Sequence, residues 1–378
     1  MEISEHIPRH SGRHVARAGS RGSRTAACAV AAVVMIGGGA AIAAAASSGL
    51  APVTCPGSAR CHTPPKSPSL TAISPTAKIF DSTTDQFRGP SAATLWHGRL
   101  WVTSVLGGSV TELAAASGRH LRTLPAADYG FHGPNAIAAG HGHIWVANVP
   151  GDSVTEINAR NGHLERTLSG GYGFSSPYAL ALAGGRLWVA NAGGDSVTEV
   201  SARTGARIAV FAGRRYRFDN PYALAVAAGR LWVANAGGNS LTEMNARTGA
   251  PVARLARGYG LRDPSALAVS GRDLWVVSES GNSLTELDAP TGRLVRTVSG
   301  ARYGFDNPAA VAVAGGRLWV ANTLRGSVSE VSLATGAALG TVAGRRYRLV
   351  NPSALVAAGR YLWVASLGSD SLTRLRIR

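Results

Sequence analysis

Leu187-Trp188-Val189-Ala190-Asn191 returns in close variants at a fixed interval along this chain of 378 residues. Its tryptophan recurs from Trp101 through Trp145, Trp188, Trp232, Trp275 and Trp319 to Trp363, in steps of 44, 43, 44, 43, 44 and 44 residues. A period in the forties, made of short apolar runs and glycine turns, is the signature of a β-propeller blade. The seven copies predict an all-β, seven-bladed β-propeller of four-stranded blades.

Residues 178–221 serve as the reference unit. Tyr178 to Ala183 reads as a short apolar inner strand, whose alanines let blades converge on an axis. Gly184-Gly185-Arg186 turns the chain into a second strand, Leu187 to Asn191. Gly194-Asp195 closes the next turn, a pair suited to positive φ. Ser196 to Val200 is the third strand, and Ala206 to Ala212, beyond the Thr204-Gly205 turn, is the outer one. Each blade is sandwiched between two others, so the recurring tryptophans are expected to pack between blades.

The last unit has no outer strand after Ser371 to Ile377. Thr76 to Phe80 aligns without gaps on His120 to Leu124, and Phe87 on Phe131. The N-terminal segment is therefore expected to supply the seventh blade's fourth strand and close the ring, which removes an exposed edge. The propeller is assigned to residues 72–378.

Residues 1–24 form a basic region with Arg9, Arg13, Arg17, Arg21 and Arg24, followed by an uncharged run over 25–46. This pattern reads as an export signal, either cleaved after Ala43 to Ala46 or kept as a transmembrane helix. In both cases the repeats lie outside the membrane, so the localisation read from sequence is the cell surface or the secreted fraction. No Arg-Arg pair precedes the run, which speaks against the twin-arginine route. Residues 47–71 are rich in Pro, Ser and Thr and read as a disordered linker. Cys55 and Cys61 flank a short segment within it and are candidates for a disulfide in an oxidising compartment. The three residues before Cys55 do not fit a lipid attachment site.

Formal charge is +17, and removal of the first 46 residues, with five arginines and two glutamates, still leaves about +14. Such a surplus favours anionic partners such as nucleic acid, phospholipid or anionic wall polymer. An Arg-rich codon bias is the bland alternative.

The Trp-Val-Ala-Asn motif, followed by Gly-Asn/Asp-Ser-Val/Leu-Thr-Glu and a Thr-Gly turn, resembles the YVTN family of bacterial and archaeal surface β-propellers. It is also similar to NHL-type propellers and to the virginiamycin B lyase group. The resemblance covers all seven units and implies the fold. These families include binding modules, sensors, surface-layer components and a few enzymes, so it implies no single activity. The lyase group is understood to use histidine and glutamate near the axis with a magnesium ion. No His-x-Glu occurs here in the inner strands or beside them. The reading is an exported, non-catalytic binding or scaffolding module at the cell envelope, monomeric, with an anionic polymer or envelope protein as partner. The alternative is a lyase or lactone hydrolase working in the axial pocket.

Arg214-Arg215-Tyr216-Arg217 and Arg345-Arg346-Tyr347-Arg348 lie in loops from outer to inner strand, three repeats apart. Tyr129, Tyr172, Tyr259 and Tyr303 hold matching positions. Arginine beside tyrosine suits phosphate or sugar-phosphate contact. The competing reading packs the tyrosines under the loop and leaves the arginines solvated or paired with Asp219, Asp263 and Asp306. Asn148, Asn191, Asn235 and Asn322 close the second strands, either as ligand-binding amides or as caps of their own turns. Glu112, Glu156, Glu199, Glu243, Glu286 and Glu330 recur on the third strand, with Arg374 in the seventh place. One glutamate per blade suggests a structural contact to arginine rather than paired-acid chemistry. His97, His141, His143, His120 and His163 fall on one face of the first two units, and His132 on the other. Five imidazoles could bind zinc or nickel, but their spacing matches no metal motif, so no metal, cofactor or catalytic residue is expected.

Overall fold

The computed structural model describes residues 73–81 and 87–377. The segments read from sequence as an export signal and a linker, together with Cys55 and Cys61, lie outside the described residues. Seven four-stranded antiparallel sheets follow one another, with inner strands beginning at Pro90, Pro134, Pro177, Pro221, Pro264, Pro308 and Pro352. Each inner strand contacts the next, and the last contacts the first, so the blades form a closed ring. The reference blade has strands Pro177–Ala183, Arg186–Asn191, Ser196–Ser201 and Arg207–Ala212, within one residue of the sequence expectation.

Closure occurs as expected. The strand Ala77–Asp81 pairs antiparallel with Ser371–Arg376, bringing Phe80 opposite Leu372. Phe80 is buried and its ring lies 5.1 Å from that of Trp363. Leu124, Leu168, Phe211, Leu255, Val298 and Val342 are the corresponding buried residues of the other outer strands. Elsewhere those strands are largely exposed, because they form the rim.

The middle strands are buried on both sides. All seven recurring tryptophans are at most 2% exposed, which places them in the core between blades. Trp363 Nε1 donates to the Ala115 carbonyl of the first blade, 3.2 Å away across the closure.

The glycine-acid turns have a second role that the repeat alone does not reveal. Asp152, Asp195, Asn239, Asn282 and Asp370 have φ between 42° and 47°, and each side chain accepts a backbone N–H from the next blade. The donors are Ser176, Asn220, Asp263, Asn307 and Gly89, all immediately before a proline. A turn in one blade thereby satisfies an orphan donor in the next.

The third-strand glutamates behave as expected in six blades. Arg99 and Arg122 both sit 2.6 Å from Glu112, and Arg166 is 2.7 Å from Glu156. Arg186, Arg230, Arg296 and Arg317 pair with Glu199, Glu243, Glu286 and Glu330. Burial raises the carboxyls of Glu156, Glu199, Glu243 and Glu286, and the paired arginines oppose that rise. In the seventh blade Arg374 lies over the Tyr361 ring, 4.3 Å from its centroid.

Candidate functional site

The turns between second and third strands and the loops from outer to inner strand share one side of the ring, the loop face. Six of the seven loops from outer to inner strand carry a tyrosine two residues before an apolar residue. Tyr129, Tyr172, Tyr216 and Tyr303 stack on Phe131, Phe174, Phe218 and Phe305 with centroids 5.3 to 5.5 Å apart. The hydroxyls of Tyr129, Tyr172 and Tyr303 donate to the carbonyls of Gly162, Gly205 and Gly336 in the next blade. These tyrosines pack beneath the loops and tie blades together.

The arginines take a different place. Arg215 and Arg346 lie over the buried rings of Tyr216 and Tyr347, each 4.7 Å from the centroid, and donate to the hydroxyls at 2.7 Å. Arg302 lies over Tyr303 at 5.1 Å, a third copy of the arrangement in a loop where the sequence reading noted only the tyrosine. Arg214, Arg217 and Arg345 are exposed. Arg348 pairs with Asp81 at 2.8 Å. Among the described residues, no ion pair joins these arginines to Asp219, Asp263 or Asp306. A guanidinium fixed on a ring keeps donors facing solvent and loses little rotamer freedom when it meets an anion.

The four asparagines do not belong to this surface. Asn148, Asn191, Asn235 and Asn322 are fully buried, and each amide donates to hydroxyls five and seven residues on, such as Ser153 and Thr155 for Asn148. Their oxygens on Asn148, Asn235 and Asn322 accept N–H groups of His132, Asp219 and Asp306. The amides serve their own turns and are left out of the candidate ligand surface.

Nearer the axis, the structure assembles a site that the sequence reading missed. Every inner strand shifts register between its first and third residues, bulging the second. Bulges commonly re-aim side chains beside functional sites. Ser91, Ser265 and Ser353 use this position to donate to the first carbonyl of the neighbouring inner strand. Tyr178 and Tyr222 hold it in the third and fourth blades, with hydroxyls 2.5 Å apart and ring centroids 4.1 Å apart. They line a cavity of about 680 Å³ with Ser176, Asn220, Asp263 and Glu279. Burial pushes both phenols up. Burial first, and then the neighbouring Asp263, raise the Glu279 carboxyl, against a hydrogen bond from Asn307. The resulting pocket is acidic and rich in hydroxyls, suited to hydrogen-bond donors.

On the opposite face, a cavity of about 710 Å³ is lined by His97, His141 and His143 together with Trp96, Arg99 and Arg160. His120 and His163 do not line it. His120 Nε2 instead lies 2.9 Å from the Thr123 hydroxyl.

No protein-family profile matches the chain, and no curated protein does. Solved structures do resemble it. Virginiamycin B lyase from Staphylococcus aureus superposes with a TM-score of 0.68 at 15% identity, covering 80% of this chain and 99% of that one. The computationally designed Ika8 protein gives 0.57 at 14% identity, over 75% and 95% of the two chains. A chain of the Mitotic Checkpoint Complex gives 0.64 at 14% identity, over 88% and 99%. At such identities the likeness establishes the β-propeller fold, which a lyase, a designed protein and a checkpoint assembly share, and leaves activity to the site.

Proposed function

We propose that this chain is an exported, non-catalytic binding module at the cell envelope, and that its loop face holds an anionic polymer. The reading rests on one observation, the repeated stacking of Arg215, Arg302 and Arg346 on buried tyrosines in three of the loops from outer to inner strand. Each stack presents a preorganised cation, and Arg214, Arg217 and Arg345 add exposed charge beside them. The formal charge of +17 works in the same direction. The basic, apolar and then Pro/Ser/Thr-rich order of residues 1–71 supports export, and subcellular fractionation of the tagged chain tests it. Recovery in the cytoplasmic fraction would contradict export.

For the ligand, the test is a salt series of binding to heparin and to polyphosphate. The logarithm of the affinity should fall linearly with log salt, with a slope set by the number of neutralised anionic groups.

The axial cavity supports a second reading. Tyr178, Tyr222, Asp263 and Glu279 offer acceptors to a small ligand bearing amines or hydroxyls. The Tyr222→Phe and Glu279→Gln variants should weaken such a ligand about tenfold each, the range for a hydrogen bond to a charged or buried partner. Calorimetry with amino sugars and small amines measures it, and equal binding by wild type and both variants would exclude the cavity.

A further inference from the structure

The second blade departs from the repeat at two positions that face one another. Arg99, Arg186, Arg230 and Arg317 open the second strand in four blades, whereas His143 stands there in the second. On the outer strand, the residue before the one paired with the third-strand glutamate is Leu121, Ile208, Val252, Val295 or Leu339 in five blades. In the second blade it is Glu165. Both changes converge on Glu156, which is fully buried.

The side chains are held so that three ligand atoms meet. Arg166 Nε anchors Glu156 through Oε2 at 2.7 Å, and Asn158 Nδ2 anchors Glu165 through Oε1 at 2.8 Å. The other oxygens point at one imidazole nitrogen. Glu156 Oε1 lies 3.0 Å and Glu165 Oε2 3.1 Å from His143 Nδ1, and all three atoms lie within 4.8 Å of one another. His143 Nδ1 and Glu156 Oε1 are buried without a hydrogen bond of good geometry. A single Nδ1 proton cannot serve both carboxylates. Ligands of tetrahedral zinc, at about 2.0–2.2 Å from the ion, are roughly 3.4 Å apart, so the two nitrogen-to-oxygen distances need to widen by only a few tenths of an ångström.

We propose that His143, Glu156 and Glu165 form a divalent metal site of the zinc class on the face opposite the loop face. One imidazole and two carboxylates are a hard-to-borderline donor set, and His143 also lines the cavity of about 710 Å³, which leaves the remaining coordination positions to water or a bound group. Arg166 and Asn158 act as outer partners that orient the carboxylates.

The test uses the full chain, stripped of metal with chelator and titrated with Zn²⁺ by calorimetry, and then with Co²⁺ to read the visible absorption of the site. His143→Arg and Glu165→Leu each install a residue that other blades carry at that position, so both variants keep the repeat's own packing. Wild type should bind one equivalent of Zn²⁺, and each variant should bind it at least tenfold more weakly. Absence of stoichiometric binding to wild type, or binding that either variant leaves intact, overturns the site.

Discussion

Glu279 is the only acidic residue at its place in the repeat, where the other blades carry Val105, Val149, Ala192, Ala236, Thr323 and Leu367. Its carboxyl is raised, so the stabilising contribution of the protonated form is complete below the ordinary carboxylate range and lost as pH rises through the raised value. The advantage of Glu279→Gln over wild type in denaturant midpoint should therefore grow between about pH 4.3 and neutrality. A pH-independent difference would contradict the burial argument. Gly249 sits at φ 70° in a Thr-Gly turn, where an added Cβ would run into the Phe211 ring of the preceding blade. Backbone strain and overpacking together should make Gly249→Ala cost about 2–4 kcal/mol in chemical denaturation. At this scale the repeat is a background against which departures stand out. Tyr178, Tyr222 and Glu279 differ from their copies, and so do His143 and Glu165. That signal was present in the sequence. What sequence could not supply is the bulge that makes the second residue of the inner strand special, or the cross-strand register that brings Glu165 to Glu156.

Among the elements, strand limits were legible to within a residue because glycine turns bracket them. The roles of the turn side chains were less so. The Gly-Asp and Gly-Asn pairs read as positive-φ turns, and they are. Their second task, accepting an N–H from the next blade, depends on how blades stack and leaves no local mark in the sequence. Asp370 performs it across the closure, 2.6 Å from the Gly89 nitrogen. Asp370→Ala should lower stability by about 1–2 kcal/mol, the usual loss when a side chain stops capping a backbone donor. Asp370→Asn should recover most of it, since Asn239 and Asn282 do the same work in other blades. Failure of the asparagine to rescue would mean that charge, rather than the hydrogen bond, carries the contact.

For the whole molecule, closure by the N-terminal strand was legible because the missing fourth strand of one unit matched a fragment more than 280 residues earlier. Phe80 anchors that strand against Trp363 and the first blade. Phe80→Ala should cost about 3–5 kcal/mol and expose the edge of Ser371–Arg376, seen as a lower thermal midpoint with aggregation on heating. The loop face is the other property of the ring as a whole, because Arg215, Arg302 and Arg346 come from three separate inter-blade loops. The most direct test removes those three charges as serines and compares heparin binding across a salt series with wild type. The control removes three exposed arginines from the opposite turns, Arg119, Arg203 and Arg247. The account predicts a weaker affinity and a shallower salt slope for the loop-face variant alone. Equal losses in both variants, or a loss in neither, would show that the positive charge is background and that the loop face is not where an anionic polymer binds.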